Sequence, residues 1–166
     1  MGDPLESVDL GPMVSKEARL KVHKQVKSSE KKGARILLGG KISKGIGAFY
    51  PVTVLSEVKP GMEVFDEEVF GPVFSIIKAK NEVEALKLAN NSSYGLGASI
   101  FSENIEKARK IAIEQLNVGM CYVNDFVKSD PELPFGGIKK SGFGRELSLN
   151  GFLEFVNVKT IVVNKI

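Results

Sequence analysis

The run Val73-Phe74-Ser75-Ile76-Ile77 is followed by Asn81-Glu82-Val83-Glu84, then by Gly97-Ala98-Ser99-Ile100-Phe101, and later by Val118-Gly119-Met120-Cys121-Tyr122-Val123. The first run predicts a strand over 73–79. Asn81 with an acid three residues on is a capping box, which starts a helix running to about Asn91. Residues 97–101 predict a second strand, and Ile105, Ala108, Ile111 and Ala112 recur on one face of a second helix. Residues 118–123 are apolar on both alternating faces, which places them in the middle of a sheet. Strand, helix, strand, helix, strand is the order of right-handed parallel crossovers. The expected fold is α/β, a mostly parallel sheet with helices on its faces.

Upstream, Ala18, Val22 and Val26 recur every fourth residue, which predicts a helix over 16–32, capped by Ser15 and ended by Gly33. Ile36-Leu37-Leu38 reads as a short strand stopped by Gly39-Gly40, and Gly45 and Gly47 mark a turn. Residues 49–55 form a β-branched run whose Pro51 suggests an edge strand. Downstream, residues 124–146 form a Gly- and Pro-rich loop too long for a mere connection, and hence functional. A short helix near 146–153 precedes a last strand over 155–163. There Val156, Val158, Thr160 and Val162 alternate with Phe155, Asn157, Lys159 and Ile161.

The 166 residues are 43% hydrophobic and 26% charged, enough for one ordinary core and too apolar for a disordered chain. No apolar run reaches the roughly 18 residues of a membrane helix, and Met1-Gly2-Asp3-Pro4 begins no signal peptide. A cytoplasmic protein with no membrane partner is expected. A single cysteine excludes an internal disulfide and a cysteine-built metal site. The basic residues are mostly lysines interleaved with acids, as in Ser28-Ser29-Glu30-Lys31-Lys32, so nucleic acid is not an expected partner.

The obvious phosphate cradles fail. Gly40 and Gly45 have Walker A spacing, but Ile46-Gly47 stands where Lys-Ser/Thr is required. Gly137 and Gly142 have the same spacing and are followed by Phe143-Gly144. His23 lies inside a helix among lysines with no positioned acid or second histidine, which reads as a surface or half-buried residue and not a base. Cys121 has apolar neighbours and no nearby cation, which reads as an inert thiol. Two segments are too peculiar for plain scaffold. Asp66-Glu67-Glu68-Val69-Phe70-Gly71-Pro72-Val73 runs three acids into an aromatic and a strand. It is either a solvated turn or a carboxylate placed to accept from a ribose diol. Pro134-Phe135-Gly136-Gly137-Ile138-Lys139-Lys140-Ser141-Gly142-Phe143-Gly144-Arg145-Glu146 is either a glycine-rich crossover or a rigid pocket wall.

Together with Tyr94-Gly95-Leu96-Gly97-Ala98-Ser99-Ile100-Phe101 and Val123-Asn124, these two segments resemble the aldehyde dehydrogenase superfamily along the whole chain. Phe126-Val127-Lys128-Ser129-Asp130-Pro131 and Glu154-Phe155-Val156-Asn157-Val158-Lys159-Thr160 are most similar to succinate-semialdehyde dehydrogenases. The resemblance implies that residues 1–153 are part of a catalytic domain and residues 154–166 a C-terminal oligomerisation strand. The family's Rossmann-like cofactor domain, nucleophilic Cys and general-base Glu belong to parts that precede this segment. Cys121 matches a core position and not the nucleophile.

Matched position by position, Glu68 corresponds to the residue that holds the nicotinamide ribose hydroxyls and Phe70 to the aromatic packed on the nicotinamide. Phe135 matches a wall of the aldehyde pocket. Residues 125–133 match the loop that shapes substrate choice, where Lys128 or Ser129 could meet the distal carboxylate of a semialdehyde. The intact enzyme would pass an aldehyde through a thiolate adduct, transfer a hydride to NAD or NADP, and hydrolyse the resulting thioester. The expectation for this chain alone is that no catalytic residue is present, that no cofactor or metal is bound and that no dehydrogenase activity results. Association as a homo-oligomer through the last strand is expected, or with a missing N-terminal part or full-length enzyme. The alternative is a non-catalytic module derived from the fold that associates with itself or with a partner.

Overall fold

Ser15 adopts an extended conformation, and its hydroxyl accepts from the Ala18 N–H at 3.1 Å, so helix α1 (Lys16–Lys31) starts where its cap predicts. Gly33, with φ of +105°, turns the chain out of the helix as the left-handed residue after its end. The computed structural model describes residues 1–42, 45 and 47–165. The turn expected at 45–47 therefore lies partly outside the described residues, as does the Ile46 that argued against a Walker A loop.

The chain divides into two compact units, residues 1–81 and 82–166. In the first, β1 (Arg35–Leu38) pairs antiparallel with β2 (Thr53–Ser56), and β2 pairs parallel with β3 (Val73–Ser75). The short helix α2 (Glu63–Asp66) lies between β2 and β3 in sequence. Val22 and Val26 of α1 join Tyr50, Leu55, Val58 and Met62 in the core of this unit. Residues 49–55 do not form the expected edge strand, because β2 lies between β1 and β3. Pro51 precedes the strand, and its missing N–H is no cost to a ladder that begins at Thr53.

In the second unit, α3 (Glu82–Asn90) and α4 (Ile105–Glu114) follow the expected order. The strands β5 (Gly97–Ile100) and β6 (Met120–Val123) pair parallel, with Gly97 opposite Met120 and Ile100 opposite Val123. The helix between them is thus a true parallel crossover. Two further strands, β4 (Tyr94–Gly95) and β7 (Ile138–Lys139), pair antiparallel, and α5 (Ser148–Leu153) closes the regular structure. β6 was expected in the middle of a sheet, yet among the described residues β5 is its only strand neighbour. β3 likewise pairs with β2 and not with β5. Residues 155–163 were expected to form a strand; they are exposed and carry no strand assignment. A strand needs a second backbone to satisfy its ladder, and among the described residues none pairs with them. Among the described residues no helix is long and apolar enough to cross a membrane.

Candidate functional site

The acid segment leaves α2 on the surface of α1. Gln25, only 5% exposed, donates through Nε2 to Glu67 Oε2 at 2.8 Å and to the Glu68 carbonyl at 3.2 Å. Glu68 is exposed. Two residues on, Phe70 is 80% exposed although it is the only aromatic in the segment. Its ring lines a cavity of about 410 Å³ with Met13, Ala18, Val22, Gln25 and Pro72, and Lys21 stands on the same wall. A methyl group on Gly71 would lie 3.0 Å from Val22 Cγ2, so glycine lets the segment close on α1.

Lys128, Ser129 and Phe135 belong to the second unit, whereas Glu68 and Phe70 belong to the first. Asn124, with φ of +56°, ends β6. Its side-chain amide donates to the Ser102 carbonyl at 2.9 Å and accepts from the Ser102 N–H at 2.8 Å. That reciprocal pair extends the β5–β6 ladder by one side chain and fixes where the loop departs. Lys128 Nζ then lies 2.7 Å from Asp125 Oδ2, and the Tyr122 hydroxyl donates to the Lys128 carbonyl at 3.0 Å. The ammonium holds the Asp125 carboxyl below its ordinary range, and the carboxylate raises the Lys128 amine in return. Ser129 is exposed.

Phe135 and Glu146 exchange both backbone hydrogen bonds at 2.8 Å, closing the glycine-rich segment into a hairpin-like loop. Arg145 Nη1 donates inside it to the carbonyls of Gly137 at 3.0 Å and Gly144 at 2.6 Å. Phe135 lines a cavity of about 390 Å³ with Leu96, Phe143, Arg145 and Phe155.

Cys121 lies within β6, opposite Ala98, and burial pushes its thiol up, away from the thiolate. His23 is half-buried, 3.3 Å through Nδ1 from the Tyr50 hydroxyl, and burial pushes its imidazole below the ordinary value. Among the described residues no cluster of His, Cys, Asp and Glu could hold a metal ion.

The aldehyde dehydrogenase family profile matches residues 1–161. The chain belongs to the aldehyde dehydrogenase family. It is 46% identical over 167 residues to a succinate semialdehyde dehydrogenase [NAD(P)+] of Escherichia coli, covering 100% of this chain and 36% of that one. A succinate-semialdehyde dehydrogenase [NADP(+)] of Deinococcus radiodurans is 45% identical, with 96% and 34% covered. The crystal structure of a Streptococcus pyogenes succinic semialdehyde dehydrogenase with NADP+ superposes with a TM-score of 0.91 at 40% identity. It matches 98% of this chain and 35% of its own. The chain thus spans about a third of the length of these aldehyde dehydrogenases.

Sequence reading did not single out Gln25 or Lys21, which lie beside the acid segment in the first unit. The one local signal for Gln25 was an amide on the apolar stripe of α1, one position before Val26.

Proposed function

We propose that the protein carrying this chain oxidises succinate semialdehyde to succinate with NAD or NADP. The observation that carries the reading is the run of identity to succinate-semialdehyde dehydrogenases along the whole chain. The residues present suit the cofactor. An exposed Phe70 beside an apolar cavity offers a flat face to an aromatic ring, Glu68 offers a carboxylate to a diol, and Lys21 adds a cation nearby. The bound dinucleotide would accept the hydride. This chain's part is to orient the ring and ribose through Phe70 and Glu68, and to shape the aldehyde side through Phe135.

Lys128 supplies the charge for the distal carboxylate of the semialdehyde. It does so in competition with Asp125, so the loop favours an anionic aldehyde only when the substrate displaces that ion pair. Ser129 adds a neutral donor. Alone, the chain carries no activated thiolate, since its single cysteine has a raised pKa, and we expect it to be inactive. Residues 154–166 pair with a second subunit. The exposed side chains of Phe155, Val158, Ile161, Val162 and Val163 support that arrangement.

The test joins this chain to the portion of the Escherichia coli relative that it does not match and follows NAD(P)H formation. Succinate semialdehyde is expected to be preferred over butanal, while the chain alone stays silent. Equal turnover of both aldehydes overturns the substrate reading, and turnover by the chain alone overturns the inactivity.

A further inference from the structure

We infer that Gln25 is a positioning residue for the cofactor site, acting through Glu68; this rests on the reading of Glu68 and Phe70 given above. The acid pair poses a problem of choice. Glu67 and Glu68 are adjacent carboxylates on an exposed segment, and only one can face a ribose diol. Gln25 resolves it from beneath. One buried amide nitrogen reaches Glu67 Oε2 at 2.8 Å and the Glu68 carbonyl at 3.2 Å. The first bond draws the Glu67 carboxylate toward α1. The second holds the Glu68 backbone, so that its side chain leaves the segment into solvent.

Neighbouring contacts make the seat rigid. Val22, three residues before Gln25 on α1, packs against Gly71 so closely that a methyl group there would sit 3.0 Å away. At the other end the Glu67 N–H donates to the Glu63 carbonyl at 2.9 Å, which ties the segment to α2. The stretch from Glu67 to Gly71 is thus pinned at its two ends and at Gln25, with Glu68 and Phe70 as the side chains presented outward. The amide nitrogen suits the position, while the Gln25 Oε1 is buried without a hydrogen-bond partner among the described residues: a carboxylate there would repel Glu67, and an apolar group would leave the Glu68 carbonyl unpaired.

The test uses the joined enzyme described above, with dinucleotide Kd measured by fluorescence titration and KM by steady-state assay. Gln25→Leu is expected to weaken dinucleotide binding roughly tenfold, the scale of one lost hydrogen-bonded position, with KM for succinate semialdehyde unchanged. Glu68→Gln weakens it similarly, and the double variant no more than Glu68→Gln alone, because one effect is routed through the other. Additive losses in the double variant overturn the proposal, since they assign Gln25 a merely structural role. Wild-type affinity in Gln25→Leu overturns it too, while loss in Glu68→Gln keeps the cofactor reading intact. Wild-type affinity in Glu68→Gln overturns the cofactor reading and the proposal with it. Should Gln25→Leu fail to fold, Gln25→Glu takes its place: its affinity is expected to recover as pH is lowered, when a proton shared with Glu67 restores a donor. A pH-independent Gln25→Glu sinks the idea.

Discussion

The Ser29 hydroxyl of α1 accepts a hydrogen bond from the Val64 N–H of α2 at 3.1 Å, and so caps a helix that has no side-chain cap of its own. Ser29 is fully buried, and its neighbour on the other side is Glu63, 3.4 Å away. The start of the acid segment is therefore set by a residue 35 positions earlier in the chain.

Ser29→Ala removes that acceptor without adding volume and leaves a buried N–H unpaired. Unfolding in urea is expected to show a loss of about 1–3 kcal/mol. An unchanged midpoint would mean that another group takes over the cap.

Stability in acid should report Glu63. The Lys32 ammonium, 2.7 Å away, and the Ser28 hydroxyl hold its carboxyl down from an ordinary 4.5 to about 2. Across that window the unfolded chain binds more protons than the folded one. The contribution is complete above the upper value and is lost as pH falls toward the lower. Glu63→Gln should flatten the acid limb of a urea-midpoint profile, and an identical limb in both proteins would remove the assignment.

Gly119 admits no side chain. A Cβ there would lie 1.9 Å from the Gly136 carbonyl oxygen, a backbone atom that cannot swing aside. Gly119→Ala is expected to cost about 3 kcal/mol or more and to displace the segment that carries Phe135. Retention of the wild-type melting temperature would contradict this packing.

Lys128→Ala in the joined enzyme is expected to raise KM for succinate semialdehyde roughly tenfold and to leave KM for butanal alone, the pattern of one lost charge-assisted contact. Asp125→Asn should act in the opposite direction, because it frees the ammonium. Equal effects on both aldehydes would retire Lys128 as the carboxylate contact.

Cys121 should react slowly with a disulfide reagent at neutral pH, since burial raises its pKa, and should speed up once the chain is unfolded in urea. A native rate equal to that of a free thiol would show an exposed, activated sulfur.

Much of this was legible locally. α1 announced itself through Ser15, the Ala18–Val22–Val26 spacing and Gly33, and the β5–α4–β6 crossover through its order of apolar runs. Each of those signals lies within one or two turns of the residues it governs. Gln25 was invisible for the opposite reason: its two partners lie more than 40 positions downstream, and nothing in the helix tells a bonded amide from an idle one. Pro51 misled because its effect depends on where the ladder begins, and the pairing with Pro72 and β3 decides that.

The sequence by itself determined α1, the β5–α4–β6 crossover, the family, and which side chains are candidates for chemistry, because capping, periodicity and motif order are properties of neighbouring residues. Only the tertiary structure decided that β2 is an inner strand, that Tyr94–Gly95 pairs with Ile138–Lys139, and that Gln25 holds the acid pair. Those outcomes depend on which distant backbone or side chain satisfies a hydrogen-bonding group, and that choice is made by packing and not by local preference.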